Sequence, residues 1–325
     1  MSLSASTVAG LDWRAFALGC ITPAALVAAA KLARGARAAL SVRADSQQGE
    51  PGLKVVITGG TRGLGFQLAR AFLALGDDVC ISGRAPGAVE AAAAKLRSEF
   101  PRCTVVGVPA DAARDAEALS ARAAAELGHI DVWINYAALS AERKAPVSSS
   151  PAGELAAIVE TNLTGALLGA RAAIMQMQRQ PGGGRVFLVD GNGSWGNATP
   201  GNAAYGAAKR GLVQLKDSLV AETAGTGVGV HIISPGMVAT DLLMRYADNA
   251  RSARMINILA EDPAEVAAWL VPRMRGARGS GSYIRYLTMP GVVWRFLTSS
   301  RRRGRFVPEG SAAAGYARLP AQAAG

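Results

Sequence analysis

Short apolar runs rich in β-branched residues recur along the middle of the chain, and stretches with helical periodicity separate them. The helical pattern is clearest over residues 64–75 and 89–100. The predicted strands are residues 54–58, 78–82, 104–108, 131–135, 185–189, 228–233 and 282–287. Apolar runs that alternate with helices are typical of a parallel sheet covered on both faces. The pattern therefore predicts the α/β class, with a single doubly wound domain over residues 51–290.

The first fifty residues differ in composition from the rest. They are rich in alanine, contain serine and basic residues, and have no acidic residue between positions 14 and 43. This composition is typical of an organellar transit peptide. Residues 15–30 are apolar throughout, so a helix that lies on a membrane is the second interpretation. A full span ranks third, because it needs about twenty apolar residues and because Gly19 and Pro23 interrupt this run.

Positive charge is concentrated near the C-terminus. The chain carries a formal net charge of +11, and residues 251–305 hold eleven arginines against three acidic residues. A basic segment can bind nucleic acid, an anionic membrane or an acidic protein, and the alternative is a solvated face. Three cysteines without a CxxC pair and two histidines predict reduced thiols and no bound metal.

A glycine-rich turn follows the first predicted strand and leads into the first predicted helix. Residues 58–65 read TGGTRGLG. Glycines at such a junction let a pyrophosphate approach the N-terminus of the helix, where free N–H groups and the helix dipole favour negative charge. Its position on the first β–α junction makes the motif more specific than the glycines alone. The predicted cofactor-contacting residues of this turn are Thr58, Gly59, Thr61, Arg62, Gly63, Leu64 and Gly65.

The end of the second predicted strand indicates which dinucleotide is bound. An acidic residue there holds the ribose hydroxyls of NAD, but this strand ends in Ser82-Gly83-Arg84. Arg84 and Arg62 are instead placed to pair with a 2′-phosphate, although either could simply be solvated. We therefore predict NADPH rather than NADH.

Tyr205 and Lys209 form a YxxxK pair on a predicted helix. The spacing of four residues puts both side chains on the same face. A nearby ammonium group favours the phenolate, so we expect Lys209 to lower the pKa of Tyr205 and make it a general acid.

With these motifs the chain resembles the short-chain dehydrogenase/reductase family over about residues 54–290, which implies a Rossmann fold. By this resemblance Tyr205 donates a proton, and Lys209 lowers its pKa and binds the ribose. Asn162 corresponds to the asparagine that orders a relay water. The other cofactor-contacting positions implied are Asp111, Asn135, Pro235, Gly236 and Thr240.

The chain departs from the family pattern in two places. Residues 135–138 read NYAA where the family has NNAG, which puts a bulky Tyr136 beside the cofactor. The serine that orients the substrate usually lies thirteen residues before the tyrosine, where this chain has Asn192, and Ser194 lies eleven before it. We predict Ser194 for this role because a hydroxyl can both donate and accept a hydrogen bond.

A narrower resemblance is to the chlorophyll b reductases, over about residues 54–310. It rests on DGNGS at 190–194, SPGMV at 234–238, LVPRMR at 270–275 and RRRGR at 301–305. The resemblance implies that NADPH reduces the 7-formyl group of chlorophyll b or chlorophyllide b, the first step of chlorophyll b breakdown. It also implies a chloroplast transit peptide, a homo-oligomer, and contact with the stromal side of the thylakoid, a light-harvesting complex and a homologous reductase.

Two other functions remain open at this point. One is an NADPH-dependent reductase of another lipophilic carbonyl compound, such as a quinone, a steroid or a fatty acyl chain. The other is a scaffold that binds NADPH without catalysis. Nucleic-acid binding is not expected, because no known nucleic-acid module surrounds the arginines.

Residues 291–325 form a basic and apolar C-terminal extension. Residues 291–297 are apolar except for Arg295 and are followed closely by the arginine cluster 301–305, a combination that suits a surface lying on an anionic membrane. The alternative is a packed helix followed by solvated arginines. From Val307 onward we expect disorder.

Overall fold

A computed structural model describes residues 52–308. The strands in this part of the chain are β1 (Lys54–Thr58), β2 (Asp78–Gly83), β3 (Val105–Pro109), β4 (Val132–Asn135), β5 (Gly184–Val189), β6 (Val228–Ser234) and β7 (Tyr283–Arg285). They form one sheet in the order β3-β2-β1-β4-β5-β6-β7, and every neighbouring pair is parallel. The strand order reverses direction between β1 and β4, which is where doubly wound sheets bind ligands.

Helices connect the strands and cover the sheet. They are α1 (Gly63–Leu73), α2 (Pro86–Glu99), α3 (Ala116–Leu127), α4 (Ala152–Val159), α5 (Gly165–Met177), α6 (Ala203–Glu222), α7 (Asp241–Met244), α8 (Ala250–Leu259), α9 (Pro263–Arg275) and α10 (Met289–Leu297). A π-helical turn, Glu160–Thr164, joins α4 to α5, and short 3₁₀ turns occupy Val147–Ser149 and Ser299–Arg302. The predicted α/β class and doubly wound parallel sheet are therefore confirmed.

The sheet has an apolar core on each face. Along β1, Val55 and Ile57 pack with α1, α2 and α9, whereas Val56 packs on the other side with α3, α5 and α6. Neighbouring residues of a strand point to opposite faces, so an unbroken apolar run serves both cores. This is the physical reason for the continuous pattern seen in the sequence.

Element boundaries differ from the prediction where local geometry decides them. α2 begins at Pro86, three residues before the predicted start, because proline fits the first turn of a helix. The last strand is shorter than predicted and covers only Tyr283–Arg285.

A buried ion pair joins α9 to the turn before β2. Arg275 donates to the carboxylate of Asp77, and both side chains are almost fully buried. The same carboxylate accepts a hydrogen bond of 2.8 Å from the backbone N–H of Leu53. The pair therefore holds together three segments that are far apart in the chain.

The C-terminal segment packs against the domain. Val307 is 0% exposed and lies in an apolar cluster with Ile256. The Asn257 side chain donates to the Val307 carbonyl at 2.8 Å and accepts from the N–H groups of Phe306 and Val307. The disorder expected from Val307 is thus wrong at Val307 itself, and residues 309–325 lie outside the described part.

Two of the four arginines in the cluster 301–305 bind an acidic residue of the domain. Arg302 and Arg305 both donate to Glu261, as does Arg295 of α10. The expectation that the whole cluster faces a membrane is therefore wrong for Arg302 and Arg305, because a carboxylate forty residues earlier binds them.

Between residues 52 and 308 no helix is both long and apolar enough to cross a membrane. The predicted transit peptide and the apolar run 15–30 lie outside the described residues. Within the described part, no group of three or more histidine, cysteine or acidic side chains could hold a metal ion.

Candidate active site

The glycine-rich turn lies at the carboxyl end of β1. Gly59 has φ +71°, and a Cβ at this position would be 2.8 Å from the Cα of Ala137. Gly63 opens α1 with φ +55°, and the residue before it, Arg62, makes no side-chain cap. The first N–H groups of α1 therefore have no side-chain acceptor, and an anionic group fits there.

Two of the predicted cofactor residues brace the backbone. The Thr58 hydroxyl accepts hydrogen bonds from the N–H groups of Tyr136 and Ala137, at 3.0 and 3.1 Å. The Asn135 side chain accepts a 3.0 Å hydrogen bond from the indole of Trp133. The two Thr58 contacts keep the loop after β4 close to the glycine turn, whereas the Asn135 contact lies within β4.

The adenosine end of the candidate site has positive charge. Gly60 donates a backbone hydrogen bond of 3.0 Å to Ser82, and a Cβ on Gly83 would be 2.9 Å from the Thr61 methyl group. These contacts place Arg62 and Arg84 on neighbouring loops, where both are exposed. Within residues 52–308 neither arginine makes a recorded ion pair, so both are available to an anion.

Asp111 and the loop after β6 complete the predicted cofactor set. Asp111 lies beyond β3, and its carboxylate accepts from the N–H of Ala113 at 2.9 Å. Thr240 is the residue directly before α7, and its methyl group lies 3.2 Å from where a Cβ on Gly63 would be. Pro235 and Gly236 begin the same loop, in which Gly236 has φ +72°. The structure thus brings the loops after β1 and β6 together.

Tyr205 and Lys209 lie one turn apart in α6, as predicted. The ammonium nitrogen of Lys209 is 5.5 Å from the Tyr205 ring centroid and donates a 3.0 Å hydrogen bond to the Val189 carbonyl. Burial lowers the pKa of Lys209 to about 8, while the charge of Asp190 acts in the opposite direction.

The net shift of the Tyr205 pKa in this structure is upward, in contrast to the lowering expected from Lys209. Burial is the main cause that raises the pKa of Tyr205 above its ordinary value, and the nearby Tyr136, Asp190 and Tyr246 act in the same direction. The hydroxyl is therefore protonated at neutral pH. A proton donor needs this state at the start of its reaction.

Gly191 lies directly against the Tyr205 hydroxyl. A Cβ on Gly191 would be 2.5 Å from the Tyr205 oxygen and 3.1 Å from the adjacent ring carbons. Only a residue without a side chain leaves room for the tyrosine in its present position. In the sequence this glycine is visible only as the second residue of the DGNGS run at 190–194.

The structure does not place Ser194 as a residue that orients the substrate. Its side chain is 1% exposed, accepts a hydrogen bond from the N–H of Gly191 at 3.0 Å and donates one to the Lys209 carbonyl at 3.2 Å. Because both interactions are with backbone, the hydroxyl holds the loop against α6. Asn192, the alternative, is exposed, and its carbonyl accepts a 2.9 Å hydrogen bond from Asn197.

Asn162 lies in the π-helical turn between α4 and α5. Its amide group accepts from the N–H of Leu139 and donates to the carbonyl of the same residue, each at 2.7 Å. π-Helical turns are often found at functional sites because they redirect a side chain. Here the turn aims Asn162 at the loop after β4.

An acidic and aromatic cluster beside Lys209 was missed in the sequence. The buried Asp190 accepts a hydrogen bond from Tyr283 of β7. Burial raises the pKa of Asp190, against the opposing effects of Tyr283 and Lys209. The Arg285 guanidinium stacks over the rings of Trp195 and Tyr283, at 4.2 and 4.7 Å from their centroids. The DGNGS match was the only sequence signal for Asp190, and β7 lies some ninety residues further on.

The chain is similar to known proteins over most of its length. The family model for short chain dehydrogenase matches residues 53–251. A probable chloroplastic chlorophyll(ide) b reductase of Oryza sativa subsp. japonica is 43% identical over 272 residues, which cover 78% of this chain and 54% of that protein. A chloroplastic chlorophyll(ide) b reductase of Arabidopsis thaliana is 40% identical over 273 residues, which cover 80% and 78%.

The crystal structure of a short-chain type dehydrogenase/reductase from Mycobacterium marinum has a TM-score of 0.63 at 24% identity, covering 72% of this chain and 94% of that one. At this identity the likeness shows the fold alone.

The chain spans about half the length of the rice relative, 54%. The resemblance to chlorophyll b reductases is confirmed by the relatives. From the family match over 53–251 and the arrangement of Tyr205, Lys209 and the glycine turn, the chain belongs to the short-chain dehydrogenase/reductase family.

Proposed function

We propose that this protein is an NADPH-dependent reductase that converts the 7-formyl group of chlorophyll b or chlorophyllide b to a hydroxymethyl group, the first step of chlorophyll b breakdown. The observation that carries the proposal is the Tyr205 hydroxyl, which lies against Gly191 after β5 and one helical turn from Lys209. The relatives named chlorophyll(ide) b reductase support the choice of substrate.

The chemistry assigns each group a task. The glycine turn, with Arg62 and Arg84, would hold NADPH, which when bound would supply a hydride to the formyl carbon and leave negative charge on the formyl oxygen. Tyr205 donates its proton to that oxygen, which gives the alcohol. Lys209 lies close enough to stabilise the phenolate that forms, and Gly191 leaves room for the tyrosine hydroxyl at this position.

The choice of NADPH rests on Arg62 and Arg84. Both are exposed on loops joined by the contact between Thr61 and Gly83, and no acidic residue ends β2. A 2′-phosphate would form charge-assisted hydrogen bonds with such a pair. NADH would lack this interaction, so the site should favour NADPH.

The location and partners are also part of the proposal. The names of the relatives include the word chloroplastic, which supports a chloroplast location with residues 1–50 as a transit peptide. A chlorophyll substrate implies peripheral contact with the stromal side of the thylakoid and access to a light-harvesting complex. Assembly as a homo-oligomer, or with a homologous reductase, belongs to the same proposal.

The test is incubation of the purified full-length chain with chlorophyll b or chlorophyllide b in detergent, with NADPH, followed by chromatography of the pigments. We expect the 7-hydroxymethyl product, and Tyr205→Phe should abolish its formation while NADPH still binds. Reduction of a quinone or fatty acyl substrate but not of the pigment would favour another lipophilic carbonyl substrate. NADPH binding without any reduction would favour the scaffold.

Cofactor preference is tested separately. Arg84→Ala should raise the KM for NADPH about tenfold or more, because one charge-assisted contact is lost, and should leave the KM for NADH unchanged. Arg102→Ala, an exposed arginine in the turn before β3, is the matched control. Equal effects of Arg84→Ala on both cofactors would contradict the assignment of this residue.

A further inference from the structure

The last helix of the described chain has an apolar face that nothing covers within residues 52–308. Five large apolar side chains of α10 are 41% to 65% exposed, out of nine such side chains exposed in the described part. They are Met289, Val293, Trp294, Phe296 and Leu297. Single exposed apolar residues are ordinary, whereas a cluster of this kind marks a surface that interacts with something.

The apolar side chains follow the periodicity of the helix. Met289, Val293 and Phe296 have the spacing i, i+4, i+7, which puts them on one stripe; Leu297 borders that stripe, and the exposed Trp294 lies beyond Leu297 at the edge of the same surface. Arg295 lies on the opposite side of the helix and donates to the Leu259 carbonyl at 2.6 Å and to Glu261 at 3.0 Å. The polar contact fixes the helix to the domain with its apolar stripe facing outward.

The turn after α10 strengthens this attachment. Arg302 donates to the Ile258 carbonyl at 2.7 Å and, like Arg305, to Glu261. Three guanidinium groups therefore converge on one carboxylate. The apolar stripe is held in place, so it cannot bury itself by a small rotation of the helix.

Positive charge lies next to the apolar stripe and faces solvent. Arg301 and Arg303 are exposed and make no ion pair within residues 52–308, whereas Arg302 and Arg305 bind Glu261. No acidic residue occurs between positions 289 and 308. The surface therefore combines apolar side chains, including a tryptophan, with uncompensated cations.

We propose that the apolar stripe of α10, with Arg301 and Arg303, binds the surface of a membrane that contains anionic lipids. Tryptophan and other large apolar side chains enter the boundary between headgroups and acyl chains, and the two arginines contact lipid phosphates. Five partly exposed side chains on nine residues are too few for a stable protein interface, which buries about 800 Å² on each partner. This inference rests on the membrane contact proposed above and gives it a surface and a lipid class.

The experiment is flotation of the full-length protein with vesicles of phosphatidylglycerol and phosphatidylcholine, compared with phosphatidylcholine alone. We expect binding to the anionic vesicles and a loss of at least tenfold for Phe296→Asp. Val147→Asp, which puts the same charge on an exposed valine of a 3₁₀ turn far along the chain, should bind like the wild type.

A second pair of variants tests the electrostatic contribution to vesicle binding. Arg301→Glu should weaken binding to the anionic vesicles several-fold, since each basic residue near such a surface contributes about 1 kcal/mol, or fivefold. Arg102→Glu makes the same charge change at a distant exposed position and should have a much smaller effect. Salt at 0.5 M should weaken wild-type binding and reduce the difference between the two variants.

Two results would overturn the proposal. One is vesicle binding that Phe296→Asp leaves unchanged, which would assign membrane contact to another part of the chain, such as residues 1–50. The other is that Phe296→Asp leaves vesicle binding unchanged and converts an oligomer to a monomer, which would make α10 an interface between copies of the chain. Activity on detergent-solubilised pigment should be unaltered in Phe296→Asp, so a failure of the proposed reaction and a failure of membrane binding are distinguishable.

Discussion

Replacing Gly191 by alanine tests the position of the proton donor with a single methyl group. The new Cβ would lie 2.5 Å from the Tyr205 oxygen, where ordinary contacts between such atoms are about 3.5 Å. The tyrosine or the loop must therefore shift by roughly 1 Å. Gly191 is not among the glycines with positive φ, so the backbone accepts alanine and the effect is confined to this contact.

The expected loss is large because proton transfer depends on distance. A misplacement of about 1 Å at a reacting group lowers the rate by about a hundredfold. We expect Gly191→Ala to reduce kcat by this order, with little change in NADPH binding. The assay is the initial rate of pigment reduction, with NADPH binding followed by fluorescence and folding by thermal melting.

Gly153 provides the control for the same substitution. It lies near the start of α4 with nothing within 4 Å of an added Cβ, so Gly153→Ala should keep wild-type kcat. If Gly191→Ala also kept the wild-type kcat while Tyr205→Phe remained inactive, Tyr205 would not donate its proton from the position that it has in this structure. A large fall in melting temperature would instead mean that the loop had unfolded, and the rate would then carry no information on Tyr205.

Three further predictions concern buried charges. Arg275→Met should lower the free energy of unfolding, measured in urea, by about 3–5 kcal/mol because it leaves Asp77 buried without its partner; a loss below 1 kcal/mol would contradict this. Burial lowers the pKa of His231 from 6.5 to about 4, so the folded state favours the neutral side chain. The free energy of unfolding should therefore fall by about 3 kcal/mol as the pH falls from 6.5 to 4, and His231→Gln should remove that part of its pH dependence. Asp190→Asn should move the basic limb of the kcat/KM profile to lower pH by about one unit, because it removes a negative charge that favours protonated Lys209. If the limb stayed at the same pH, Asp190 would not keep Lys209 protonated.

The sheet was predictable because its physical signal is local. Residues 54–58 and 228–233 are apolar on both faces, and a buried parallel strand needs this composition. Helix ends were less predictable, since the start of α2 depends on how Pro86 fits its first turn. The short β7 pairs with β6 over only three residues, which periodicity cannot resolve.

The site was predictable where its residues are close in sequence. Tyr205 and Lys209 share a helix face because of their spacing, and the glycine turn follows from its place after β1. For Ser194, spacing from Tyr205 does not reveal that its hydroxyl donates to the Lys209 carbonyl. The Asp190–Tyr283 contact joins residues 93 positions apart, and only the fold brings them together.

Composition predicts the sign of the net charge of a segment but not the direction in which its charged side chains point. The arginine cluster 301–305 is uniform in sequence, yet Glu261 binds Arg302 and Arg305 and leaves Arg301 and Arg303 exposed. A basic run close to a helix therefore needs its acidic partners located before a membrane surface is assigned to it.

At neutral pH Tyr205 holds its proton, which is the state that the proposed reduction needs at its start. Burial raises the pKa of Tyr205, so the residue begins as a proton donor, whereas a general base for alcohol oxidation would need the phenolate. The same burial lowers the pKa of Lys209 to about 8. As the pH rises, the lysine therefore loses its charge before the tyrosine loses its proton, and stabilisation of the nascent phenolate is lost first. The basic limb of the rate profile should accordingly report Lys209, and this is why removal of the Asp190 charge should move it.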